Sequence, residues 1–174
     1  MDFNFAENAK VIPVAVPALY STTAITTEWI NMKNAKKATF FIYTGTIATG
    51  STAVTLGVAA SKSGTKSTVT VASMDLGLDY YYFNGAAAGA SADVYTKTTV
   101  TTSTFDLAST YDSRILIIEV DANKMGQFTD ASGSTQSADY VRLVHTTGGA
   151  DYMGVMCILT GLRYQDDAPP TALA

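Results

Sequence analysis

The chain holds one histidine, His145, and one cysteine, Cys157, and that scarcity limits its chemistry. A serine or cysteine nucleophile needs a base within hydrogen-bond reach, usually an imidazole, so His145 is the candidate. It ends the run Tyr140-Val141-Arg142-Leu143-Val144-His145. Strand alternation puts it on the side of Val141 and Leu143, the side expected to face a core. That placement predicts a structural histidine. Cys157, inside Val155-Met156-Cys157-Ile158-Leu159, reads as a small core residue, since one thiol builds no disulfide framework. One histidine and one cysteine also fall short of the nitrogen and sulfur ligands of a zinc site.

The carboxylates offer two further arrangements. Glu119 and Asp121 stand two apart on one strand, and paired carboxylates at ~5–9 Å are the machinery of glycoside hydrolysis. Sugar-cleaving clefts also need aromatic platforms, and Trp29 is the single tryptophan. Arg142 on a pairing strand would turn Glu119 into half of a cross-strand ion pair, which is the expectation here. Asp130-Ala131-Ser132-Gly133-Ser134 spells D-x-S-x-S, a cation-binding adhesion motif that works at the end of a parallel strand in a doubly wound sheet. Gly126-Gln127-Phe128-Thr129 before it forms no such strand, so a polar loop over Thr129 to Ser137 is expected. No Gly-rich phosphate loop, Walker lysine or CxxC occurs. The chain is therefore expected to have no catalytic residue, no cofactor and no metal, and not to be an enzyme.

The elements that carry these residues are strands. Threonine accounts for 26 residues of 174, and β-branched and aromatic types suit a pleated, half-buried surface. Pro13 and Pro17 remove ladder donors from Val11–Leu19, which marks an edge strand or an arm. Thr22–Met32 alternates, with Ile25, Thr27, Trp29 and Asn31 on one side. Ala38–Thr44 is a strong strand, and Thr52–Ala59 with Ser67–Val71 reads as a hairpin. Val94–Phe105 is one long strand or two with a bend. Arg114–Asp121 is apolar on both faces and predicted central. Ala122–Phe128 suggests a helical turn, and Tyr140–His145 and Tyr152–Leu162 are the last strands. Nine or ten short strands with regular turn signals indicate an all-β fold, a single jelly-roll-like β-sandwich. Residues 1–20 form the arm or edge strand, 21–166 the sandwich, and 167–174 an exposed Pro-rich tail.

Composition narrows the partners. Hydrophobic residues make up 47% and charged residues 15%, below the ~25% of ordinary globular chains, and surfaces short of charge are often covered by partners. Net charge is −4 and lysines cluster only at Lys33, Lys36 and Lys37, too few for a phosphate-tracking stripe; no nucleic acid is expected. The start Met1-Asp2-Phe3-Asn4-Phe5 is unlike a secretion signal, and no apolar run reaches the ~20 residues of a membrane helix, so synthesis in a reducing cytoplasm and no membrane partner are expected. Candidate interface residues are aromatic or rigid. Tyr80 and Tyr82 face one way along Tyr80-Tyr81-Tyr82-Phe83, and Tyr81 the other, so one set is available to a partner. Phe3 and Phe5 either anchor on a neighbouring subunit or fold back onto their own sheet. Pro13 and Pro17 belong to the same leading arm.

Three segments together resemble the decoration or cement proteins of tailed-bacteriophage heads. They are Thr27-Glu28-Trp29-Ile30-Asn31-Met32-Lys33-Asn34-Ala35 running into Ala38–Gly45, then Ile117–Ala122, then Tyr140–Leu143 with Ile158-Leu159-Thr160-Gly161-Leu162-Arg163-Tyr164 and a Pro-rich end. The resemblance covers about residue 25 to 174, and Ser61–Thr104 matches nothing in it. It implies a sandwich on the virion surface, made in the host cytoplasm, often trimeric, whose partner is the major capsid protein. The Lys10–Leu19 arm would lie across a neighbour. Other virion roles on a similar sandwich (tail tube, head-tail completion, head fibre) and a carbohydrate-binding module with exposed tyrosines are the alternatives.

Overall fold

The computed structural model describes residues 8–21, 24–48, 52–62, 66–67, 79–83, 95–99, 104–130 and 132–162. Among them are fourteen strands and two 3-10 turns, Ser109–Tyr111 and Ala122–Lys124. The first sheet runs β1 (Ala9–Tyr20), β14 (Asp151–Thr160), β4 (Lys37–Thr44), β10 (Ile115–Asp121), β7 (Asp79–Phe83), β8 (Tyr95–Thr99). In the second, β13 (Tyr140–Thr146) pairs on one side with β2 (Ile25–Thr26) and β3 (Ile30–Asn31), and on the other with β5 (Thr52–Ala59). The far side of β5 carries β6 (Lys66–Ser67) and β9 (Thr104–Leu107). A short hairpin, β11 (Gln127–Thr129) with β12 (Thr135–Ser137), lies apart from both. All pairings are antiparallel.

The pairings nest. β1 pairs with β14, β2 and β3 with β13, β4 with β10, and β5 with β9. β14 then meets β4, and β13 meets β5, which closes each sheet. The segment between β5 and β9 adds β6 to one sheet and β7 and β8 to the other. Successive side chains on a strand point to opposite faces, so each strand sends alternate residues inward. Phe40 and Ile42 of β4, Leu116, Ile118 and Val120 of β10, and Val155, Cys157 and Leu159 of β14 meet Leu56, Val58, Val141 and Leu143 of the second sheet in one apolar cluster. The structure is an all-β sandwich with its core between the sheets. Its β10 is flanked by β4 and β7, the central position that its apolar sequence predicts.

The second sheet is irregular at one edge. Ile25 lies opposite His145 and Ile30 opposite Val141. That is six residues on one strand against five on the other, which is a β-bulge. Thr27 repairs the ladder: its N–H donates to Leu143 O at 3.0 Å, and its Oγ1 accepts from Leu143 N–H at 3.0 Å. The extra residue inverts the parity of Trp29, which leaves the side of Ile25 and lies on the sandwich's outer side over Gly57 and Arg142.

Two other expectations are corrected. Glu119 is on β10 of the first sheet and Arg142 on β13 of the second, so they form no cross-strand pair; Glu119 pairs with Lys37 at 3.0 Å. Thr129–Ser137 is not a plain loop, because β11 and β12 flank its turn. Ala122–Phe128 does hold one helical turn, a 3-10 turn over Ala122–Lys124 capped by Asp121, whose carboxylate accepts from Asn123 N–H at 2.9 Å. Phe3 and Phe5 and the 167–174 tail lie outside the described residues.

Ile118 is fully buried in this core. Ile118→Ala is expected to lower unfolding free energy by about 2–5 kcal/mol in urea titrations, through lost transfer energy and the cavity left behind. Glu119→Ala, next to it on the outer face, removes a partly exposed ion pair and should cost about 0–1 kcal/mol.

Candidate functional site

The residues that sequence chemistry singles out are occupied or shut away. His145 is fully buried, and its nearest charged group is Asp151, equally buried, with Nε2 3.4 Å from Oδ2. The pair joins the two sheets, from β13 to the first residue of β14. Neither ring nitrogen makes a hydrogen bond, while Asp151 Oδ1 accepts from Ala48 N–H at 2.8 Å. Burial holds the imidazole below its ordinary pKa, partly opposed by the Asp151 charge. No external reagent reaches a side chain with no solvent exposure. Cys157, six residues along β14 from Asp151, is roughly 20 Å away at the rise of a strand. Its buried thiol is pushed up to about 12, so it is neither an ion nor a nucleophile at neutral pH.

Asp130 spends its carboxylate on its own loop. Oδ1 accepts from Ser132 N–H at 2.9 Å, Ser132 Oγ–H at 2.5 Å and Ser134 N–H at 2.9 Å. These bonds hold its pKa below the ordinary value and make D-x-S-x-S the turn that joins β11 to β12. Among the described residues no three histidine, cysteine or acidic side chains are grouped to hold a metal ion. An open pocket of about 380 Å³ lies beside Met32, Lys36, Ala122 and Ala138. Its lining includes no histidine or cysteine, and its one carboxylate, Asp139, is paired with Lys33 at 3.2 Å.

The outer face of the first sheet is different. The large hydrophobic side chains that the described residues expose are Val11, Val16, Leu19, Tyr43, Tyr152 and Met156, and all six belong to β1, β4 and β14. Register lays them in rows. Pro13 faces Met156, which faces Phe41, which faces Ile117. Val11 faces Ile158 in the row above, and Leu19 faces Tyr152 below. Between these rows, a Cβ on Gly154 would come within 2.9 Å of Pro17 Cγ, so that glycine lets the proline lie flat on the sheet. Tyr43 remains 55% and Tyr152 51% exposed. Charge at the outward positions of β1, β14, β4 and β10 is confined to one end, at Lys37, Glu119 and Asp121. An antiparallel sheet with one wet face normally alternates apolar with polar. This one is apolar on both.

Pro13 and Pro17 therefore do lie on the candidate face, in β1, whose ladder partner is the chain's own β14. Tyr80, Tyr81 and Tyr82 stand in β7 opposite Ile118, Ile117 and Leu116; their side chains lie outside the described part of the structure. Sequence reasoning missed Tyr43, Tyr152 and Met156. The signal was present in Tyr152-Met153-Gly154-Val155-Met156-Cys157-Ile158, where both alternating sets are apolar. Comparison with protein-family models, curated proteins and solved structures gave no match.

The buried histidine makes a pH prediction. Its folded pKa lies below 6.5, so on acidification below 6.5 the unfolded chain binds a proton that the folded one does not. Stability must then fall with pH until the folded pKa is reached. Thermal melts from pH 7.5 downward should show this slope, and His145→Gln should flatten it. The Cys157 thiol should resist a disulfide reagent in the native state and react on unfolding.

Proposed function

We propose that the chain is a structural protein of a tailed-bacteriophage virion that decorates the head shell, docking on the major capsid protein through the outer face of its first sheet. The observation that carries this reading is that apolar face across β1, β14, β4 and β10, with its exposed tyrosines, methionine and prolines and the charges of those strands set aside at one end. Exposed apolar surface of this kind marks a protein contact, and aromatic residues and methionine are enriched at interfaces. The resemblance of the 27–45, 117–122 and 140–164 segments to decoration proteins supports the same reading.

The nested pairing supports a jelly-roll winding: an antiparallel ribbon with first strand on last, rolled until its ends close two sheets. Viral shell proteins and lectins both use that architecture. A sugar-binding role needs polar groups around its aromatic platforms to meet hydroxyls. Tyr43 and Tyr152 are surrounded instead by Leu19, Pro17, Gly154 and Met156, and Trp29 is buried.

Magnitudes favour several copies acting together. The six side chains are already about half buried, so covering the rest yields on the order of 1 kcal/mol each. That total is comparable to the ~4–15 kcal/mol cost of association. One copy would bind weakly; a trimer that engages three sites at once would bind far more tightly.

Co-sedimentation with empty capsids tests the proposal. The wild-type protein should pellet with shells, and Tyr43→Glu with Met156→Glu should reduce binding at least about tenfold, equivalent to 1.4 kcal/mol, without changing the thermal melt. Shell binding that is indifferent to these charges would remove the face from the proposal. Recovery of the protein only with tails would remove the head assignment.

A further inference from the structure

The opposite side of the sandwich carries a cation with no counter-charge among the described residues. Arg142, at an outward position of β13, lies with its guanidinium carbon 4.4 Å from the centroid of the Trp29 ring. Directly across the ladder is Gly57, where an added Cβ would meet Arg142 Cγ and Nε at 3.3 Å and Trp29 at 3.5 Å. The glycine makes room, the bulge at Thr27 delivers the indole, and the strand delivers the arginine. Its Nε is closed off from solvent and has no acceptor, while the residue as a whole is half-buried.

Two lysines of the sandwich are neutralised locally. Lys33 meets Asp139 and Lys37 meets Glu119. Arg142 makes no ion pair among the described residues, although acidic side chains outnumber basic ones by 15 to 11. A cation drawn partly out of water without a partner carries an electrostatic cost that the fold itself does not require. A guanidinium held over an aromatic ring is also restricted in the geometry it can offer. That is the arrangement that accepts a carboxylate by two parallel hydrogen bonds.

We propose that Arg142, on its Trp29 platform, is a receptor for a carboxylate presented by a protein docking on the outer face of the second sheet. It stands on the side of the sandwich away from the apolar face and does not depend on the capsid assignment. A carboxylate is favoured over a phosphate group because a single guanidinium matches one carboxylate in charge. The neighbouring outward positions of β13 and β5, at Tyr140, Val144, Thr55 and Ala59, supply no second cation; the next along this face is Lys66, one strand further out in β6 opposite Ala59. The bulge then has a use: without the inverted parity of Trp29, the arginine would lie unsupported on the sheet.

Trp29 is the single tryptophan, so intrinsic tryptophan fluorescence reports on this site alone. Sodium acetate and inorganic phosphate would be titrated against sodium chloride at fixed ionic strength, with the full chain, Arg142→Lys and Arg142→Gln. Acetate should give a saturable emission change and a higher melting temperature in the wild-type protein. Both should weaken in Arg142→Lys, which keeps the charge but loses the planar fork, and vanish in Arg142→Gln. An acetate response equal to that of chloride, or one that survives Arg142→Gln, overturns the proposal. So does a saturable response to phosphate with none to acetate. If Arg142→Gln does not fold, loss of the acetate response in folded Arg142→Lys supports the receptor, and its retention at full strength overturns the bidentate site.

Discussion

The sandwich depends on what fills the space between its sheets. Nested pairing joins residues far apart in sequence, and each such contact carries a loop-closure cost before it returns anything. The return comes from inward side chains that meet as the ribbon closes: Phe40, Ile118, Leu143 and Leu159 are sealed almost completely. The interior is largely apolar, and its buried ionisable pair is His145 with Asp151. That pair falls where β13 passes from one sheet to β14 in the other. There the intervening turn is tied by Gly149 N–H to Thr147 Oγ1 at 3.1 Å, and Asp151 receives Ala48 N–H. A polar pair at a crossing fixes which residues must meet there, at a stability cost that apolar side chains would not carry.

Once the interior is determined in this way, the outward positions are free to serve another purpose, and the two outer faces have diverged. The first is broad and apolar across β1, β14, β4 and β10, with the ions of those strands gathered at one end around the Lys37–Glu119 pair and Lys97 out on β8. The second sets an arginine on an aromatic support. Broad apolar contact gives affinity with little directionality. A planar cation gives little area but strict geometry. Together they are the two kinds of contact that the proposed docking would use.

Much of the fold was legible in the sequence. β4, β5, β10, β13 and β14 all coincide with runs rich in β-branched and aromatic residues, and the burial of His145 and Cys157 is a consequence of alternation. What alternation does not carry is the identity of the neighbouring strand. Glu119 and Arg142 each point outward, but from different sheets, and only the winding order reveals it. The Thr27 bulge was hidden for the same reason: an extra residue is extra only relative to a partner, here Ile25–Ile30 against His145–Val141. The apolar face escaped notice because an apolar run reads as a strand buried on both sides. Tyr152 and Met156 look the same in sequence whether a neighbouring layer of the same chain or another protein covers them.

The edge beside that face limits the kind of contact it could make. β1 is the outermost strand of the first sheet, and a bare edge is a template for adding a foreign strand. Here Pro13 and Pro17 each remove a donor, and the ladder to β14 shifts register between Pro13 and Ala15 and again between Ala15 and Ala18. Such a strand is a poor template. The same prolines lie on the apolar face, where Pro17 packs against Gly154. Two residues thus blunt the edge and add rigid apolar surface to the face. Such an edge disfavours backbone pairing, which would extend a sheet without limit, and leaves side-chain contact, whose extent is bounded by the outline of the face, as the kind the proposed docking would use.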